Sequence, residues 1–144
     1  MDHVAILKTS WNLIPKILTK EKTIESRWYK ARIAPWNRIK THDIIYFKDA
    51  GKEISLKAEV EKVLQFENYT DKELKELIKM YGGKGNIFLQ TKEEKFYKWA
   101  KTKKYAILLF LKNPTTIKPF NINKKGYGNA CAWICVDNIN KIKL

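Results

Sequence analysis

Apolar and polar positions alternate along several stretches of this chain with the period of a half-buried strand, and other stretches carry the longer period of an amphipathic helix. A first strand is expected from Val4 to Lys8. Thr9 or Ser10 then reads as the cap of a helix running to about Thr19. Its face is Leu13, Ile14, Ile17 and Leu18, with Pro15 in the first turn, where a missing N–H costs least. From Thr23 to Tyr29, Ile24, Ser26 and Trp28 face one way and Glu25, Arg27 and Tyr29 the other. Asp43 to Phe47 reads as another strand. Asp49-Ala50-Gly51 reads as a hairpin turn, because glycine takes the positive φ such turns need. Ile54 to Phe66 reads as a long, bent strand.

Thr70 with Glu73 has the capping-box pattern, followed by the stripe Leu74, Leu77, Ile78 and Tyr81, and Gly82-Gly83 is expected to end that helix. Thr91 with Glu94 repeats the pattern. The next helix carries Phe96, Trp99 and Ala100 on its apolar face and Lys95, Lys98 and Lys101 on a solvated one. Tyr105 to Leu111 is apolar at every position but its first, as in a central strand covered on both sides. Pro114 and Pro119 punctuate the segment beyond it, and Ala132 to Val136 is the last strand. Strands outnumber helices and do not interleave with them regularly. That predicts an α+β fold, a mixed β-barrel flanked by about three helices, and not a doubly wound sheet.

The length of 144 residues suits one domain spanning 1–144, and 44 % apolar residues suit a folded core. Charge changes the picture: 29 Lys and Arg against 15 Asp and Glu give a net charge of +14, a field that attracts polyanions. Nucleic acid is the expected partner, with RNA favoured over DNA. No apolar run approaches the roughly 20 residues of a spanning helix, and no signal peptide or lipidation motif is visible. A cytoplasmic monomer without a membrane partner is expected. Cys131 and Cys135 are three residues apart with no His or Cys cluster nearby, so they read as buried thiols beside Trp133; no metal and no cofactor is expected.

Candidate chemistry concentrates in Lys22-Thr-Ile-Glu25-Ser-Arg27. Glu25 and Arg27 project together, so a guanidinium that takes phosphate or stacks on a base lies beside a carboxylate that accepts from a base amino group. On spacing alone an ordinary surface ion pair is slightly favoured. The segment resembles the ASCH motif, Gly-x-Lys-x-x-Glu-x-Arg, with Lys20 in place of the glycine. Asp43-Ile-Ile-Tyr-Phe47 is similar to that family's Gly-Asp-x-Ile-x-Phe strand, with His42 in place of its glycine. The order of elements fits over roughly residues 4 to 112, and the chain extends the barrel from about residue 113. The resemblance implies a PUA-like barrel whose cleft holds Lys22, Glu25 and Arg27 and which binds RNA or a modified nucleoside. Losing both glycines is expected to alter loop shape more than chemistry.

Aromatic and basic residues add candidates. Tyr29, Trp36 and Arg38 follow the motif, Trp36 in a loop after Pro35. Lys124, Lys125 and Tyr127 lie in the segment Lys118 to Asn129, where two glycines permit close backbone approach to a phosphate. Binding ranks ahead of catalysis. One branch of the ASCH family hydrolyses the amide of N4-acetylcytidine with a Lys, a Thr and a Glu; the resemblance places Lys22 at the first but Glu25 at the Thr position, and Glu73 and Glu76 fall only near the third. If the chain is an enzyme, an amidohydrolase or a ribonuclease, Lys22 and Glu25 are the residues to carry it. A module that docks on ribosomal RNA or an acidic protein is a third reading.

Overall fold

The computed structural model describes residues 1–85, 87–88, 91–128 and 130–144. Strands form where the alternation is: β1 (Asp2–Leu7), β2 (Ile24–Tyr29), β3 (Ile44–Asp49), β4 (Ile54–Glu67), β5 (Tyr105–Phe120) and β6 (Trp133–Val136). They make one sheet in the order β2-β5-β4-β3-β1-β6, in which β1 and β3 run parallel and the other neighbours antiparallel. Three register shifts along the β4–β5 ladder insert extra residues, and such bulges bend a strand and raise its twist. The sheet curls into a half-barrel with three α-helices, an α+β arrangement.

Both faces of the sheet are covered, which is why β5 is apolar on both sides. Ile107 and Leu109 enter the cluster inside the curl, with Leu7, Leu13, Ile17, Phe47 and Trp133. Ala106 and Leu108 enter the cluster under α2 (Asp71–Gly85) and α3 (Glu93–Ala100), with Ile24, Trp28, Leu74, Ile78 and Phe96. A third cluster, built from Val4, Ile54, Ile134, Ile139 and Ile142, closes the far end against the C-terminal segment. Thr70 and Glu73 make the reciprocal capping bonds at the start of α2, at 3.1 and 3.0 Å. No helix among the described residues is long and apolar enough to cross a membrane.

Five local expectations need correction. The first helical stretch is two pieces, a 3-10 turn (Thr9–Trp11) and α1 (Leu13–Leu18), because Asn12 is left-handed at φ 51°. Gly82 and Gly83 lie inside α2; a Cβ on Gly82 would stand 2.2 Å from the Phe88 ring, so close packing and not termination calls for glycine there. α3 begins after Lys92, so Thr91 and Glu94 form no capping box. β5 runs on through Pro114 and Pro119, past Leu111, where its β2 partner has ended. Cys131 precedes β6, and both thiols are half-buried.

The replaced glycines give a sixth correction. Lys20 has φ 64° and His42 φ 77°, so both positions keep the left-handed backbone that glycine would supply. The loops keep that shape at a steric cost of about 1–2 kcal/mol per residue.

Candidate functional site

β2 is an edge strand, and α3 and the 3-10 turn flank it across from β1. Alternation turns Ile24 and Trp28 toward the helices, leaving Glu25, Arg27 and Tyr29 on the inner face. Because the sheet curls, that face is interior: Glu25 is 2 % exposed. The ion pair is therefore buried, not an ordinary surface pair, and the difference comes from curvature that spacing does not encode.

Arg27 Nε donates to Glu25 Oε1 at 3.1 Å. Its remaining nitrogens cross the gap between the sheet's two edges: Nη2 donates to the Ile6 carbonyl at 3.4 Å and Nη1 to the Ala132 carbonyl at 3.3 Å. The guanidinium also lies over the Trp133 ring, 5.1 Å from its centroid. Lys22 is 1 % exposed; its Nζ donates to the Ile24 carbonyl at 2.7 Å, and burial pulls its pKa below the usual lysine range against the favourable charge of Glu25. Glu25 Oε2 is buried and has no hydrogen-bond partner among the described residues.

Beside these groups opens a cleft of about 180 Å³, lined by Ile6, Leu7, Trp11, Glu25, Arg27, Tyr29 and Trp99 among others. Trp99, 39 % exposed, is its most open aromatic. Lys103 Nζ lies 5.0 Å from the Trp99 centroid and Lys8 Nζ 5.6 Å from that of Trp11, so each tryptophan wall carries a cation. Burial pushes the Tyr29 hydroxyl above its ordinary pKa, so it stays a neutral donor and acceptor.

Under Trp133 runs a polar chain that the sequence pattern does not reveal. Trp133 Nε1 donates to His3 Nδ1 at 3.1 Å, which leaves the His3 proton on Nε2, donating to Asp43 Oδ2 at 2.9 Å. Asp43 also accepts from the Lys40 backbone and the N-terminal amine. Burial holds His3 below its ordinary pKa of 6.5, against the pull of Asp43. Burial alone would raise Asp43, but the bonds from His3 and Lys40 outweigh it and hold the carboxyl low. The unfolded chain takes up a proton near pH 6.5 while folded His3 resists to lower pH, so stability is fully present above 6.5 and falls as pH drops below it. Asp43 adds a loss of the same sign below 3.8. Denaturation midpoints measured from neutral to acid pH are expected to fall across the upper window, and His3→Gln to flatten that part of the profile.

The structure brings Glu25, Arg27 and Tyr29 to the cleft, whereas Lys22, within electrostatic reach of Glu25 and Arg27, lines a separate depression with Thr23 and Lys112 instead of the cleft expected for it. Trp36 packs edge-on against Tyr105, ring centroids 5.1 Å apart, and does not line the cleft. Arg38 is exposed, near Asp137 and His3. Lys125 and Tyr127 are exposed and Lys124 half-buried in a turn with Gly126 at φ 92°; Asn129 lies outside the described residues. Glu73 and Glu76 line a separate groove on α2. Trp11 escapes a reading of the sequence because a 3-10 turn gives no periodic signal, and Trp99 because periodicity places it on the apolar face of α3, where the structure leaves it 39 % exposed at the cleft. Among the described residues no group of His, Cys, Asp or Glu is placed to hold a metal ion.

Crystal structures of ASCH proteins from Zymomonas mobilis share this architecture. A tyrosine-to-phenylalanine variant matches with a TM-score of 0.68 over 97 % of this chain and 93 % of that one. The fold is that of an ASCH domain. The Zymomonas mobilis ASCH without a substitution gives 0.65 over 94 % and 87 %, and a serine-to-alanine variant 0.68 over 97 % and 91 %. Each is 16 % identical to this chain, so the likeness speaks for the fold and leaves the chemistry of the cleft to its own residues. No family model and no curated protein matches the sequence.

Proposed function

We propose that the cleft binds a single base of RNA, or a modified nucleoside, by stacking and by one carboxylate acceptor. The observation that carries this reading is Glu25: it lines a cleft walled by aromatic rings, and its Oε2, buried just behind that wall, has no donor among the described residues. Such an orphaned atom is costly unless something supplies its hydrogen bond, and a base amino group does so. Trp11 and Trp99 offer aromatic surface to a base, and Lys8 and Lys103, each over one of these rings, bring positive charge for its phosphates. In this reading Arg27 does not touch the ligand; it fixes Glu25 and spans the sheet edges.

Tryptophan fluorescence during titration with short single-stranded RNA, duplex RNA and DNA tests this. Trp99→Ala, at an exposed position, is expected to weaken single-strand binding by about 1–3 kcal/mol with the fold intact. Equal affinity of wild type and variant for every ligand would overturn the assignment.

A second reading, amide hydrolysis on an acetylated nucleoside, is supported by one feature: Lys22 is buried with a lowered pKa beside Glu25, as a lysine base requires. Acetate release from N4-acetylcytidine that vanishes in Lys22→Ala would favour it, and no release from the wild type would end it.

A further inference from the structure

On the face of the sheet away from Glu25 and Arg27 lies a second concavity, of about 240 Å³, that the cleft does not use. Tyr46 stands opposite Lys57 across β3 and β4, and Lys57 opposite Thr115 across β4 and β5. Lys118 and Phe120 of β5 line it, and Lys143 of the C-terminal segment forms its far wall. Phe120 packs edge-on to Tyr46 with centroids 6.1 Å apart, and Lys143 Nζ lies 4.6 Å from the Phe120 centroid.

Positive charge prevails here, although Asp2 lies within electrostatic reach of Tyr46. Lys57, Lys118 and Lys143 have no carboxylate partner among the described residues. The acids nearby are engaged: Asp2 accepts from the Ile139 backbone at 2.7 Å and Asp137 pairs with Lys141 at 3.0 Å. Two residues along β3 from Tyr46, Lys48 is buried, and its pKa is pulled down by burial and then by the charge of Lys124. The fold thus sets three lysines around an aromatic groove with no ion pair from them to its own acids among the described residues, a surface whose field attracts an anion.

We propose that this groove is a separate contact for the phosphate chain of single-stranded nucleic acid, with Lys57, Lys118 and Lys143 on successive phosphates and Tyr46 and Phe120 against the sugar-base side. Rings set between the lysines favour a nucleic acid over an acidic protein or a membrane surface, neither of which brings flat faces to stack. The groove would make the natural ligand a polymer and not a free nucleoside.

The test compares wild type, Lys57→Gln/Lys118→Gln/Lys143→Gln and Trp99→Ala, titrated with a labelled single-stranded oligonucleotide and with a mononucleotide over a range of salt. Each lost phosphate contact on a single strand lowers the slope of log K against log salt by about 0.7, so the triple variant is expected to lose about 2 from its slope. Its affinity for the mononucleotide is expected to stay unchanged. Trp99→Ala is expected to weaken both ligands and keep the slope. A triple variant with the wild-type slope overturns the groove. So does oligonucleotide binding that is untouched while binding to anionic lipid vesicles is lost. Mononucleotide binding that no variant disturbs counts against the cleft and leaves the groove standing on its slope.

Discussion

Arg27→Ala is expected to lower folding stability by about 3–5 kcal/mol in chemical denaturation, the cost of removing one partner of a buried ion pair. Glu25, 2 % exposed, would lose the donor on Oε1 while Oε2 already has none among the described residues. The Ile6 and Ala132 carbonyls would lose the guanidinium that links them to β2 across the gap between the sheet edges. The companion measurement is Glu25→Leu/Arg27→Leu, which removes both charges together. It is expected to recover the part of the loss due to the uncompensated Glu25 carboxylate, while the carbonyl bonds stay lost and buried Lys22 gives up a favourable charge. A single variant as stable as the wild type would show that the pair does not hold the edges. This expectation also changes how Arg27→Ala reads in a binding assay: weakened binding there reports a loosened cleft as readily as a lost ligand contact, and Trp99→Ala is the cleaner probe.

The second large effect is expected at Trp133. Trp133→Ala removes a buried aromatic from the inner cluster, with an expected loss of about 3–5 kcal/mol. Trp133→Phe separates packing from hydrogen bonding: it keeps a ring beneath Arg27 but leaves His3 Nδ1 buried without its donor, for about 1–3 kcal/mol. Denaturation of both variants beside His3→Gln gives the coupling. If Trp133→Phe and His3→Gln each cost stability and the double variant costs little more than either, the indole N–H and the imidazole act as one unit. Strictly additive losses would mean that the chain from Asp43 to Arg27 is not cooperative.

Much of the fold is legible in the sequence because the strands are amphipathic by alternation and because Thr70 and Glu73 carry a side-chain pattern with one local use. The motif in β2 is legible for the same reason: period two places Glu25 and Arg27 on one side wherever the strand lies. Their burial is not, because it depends on how far the sheet curls, a property of bulges in the distant β4–β5 ladder. Nothing local marks His3; its partners are Asp43, just before β3, and Trp133 of β6, brought beside β1 only in the folded sheet. Trp11 and Trp99 reach the cleft from irregular or helix-flank positions, and Gly82 is explained by a ring arriving from residue 88. Tertiary approach, not propensity, decides these sites.

The outer half of β5 carries a consequence for how the molecule behaves in a crowd. Past Leu111 that strand keeps β4 on one side and has no strand on the other among the described residues. Proline sits within a strand only where its nitrogen faces away from the neighbour, so Pro114 and Pro119 withhold donors from the open side. Exposed Lys118 adds positive charge to this half of the strand, while Lys112 is paired with Glu59 of β4. A second copy arriving edge to edge meets missing hydrogen-bond donors and electrostatic repulsion instead of a template, which protects a long β-rich chain from joining its neighbours into aggregates.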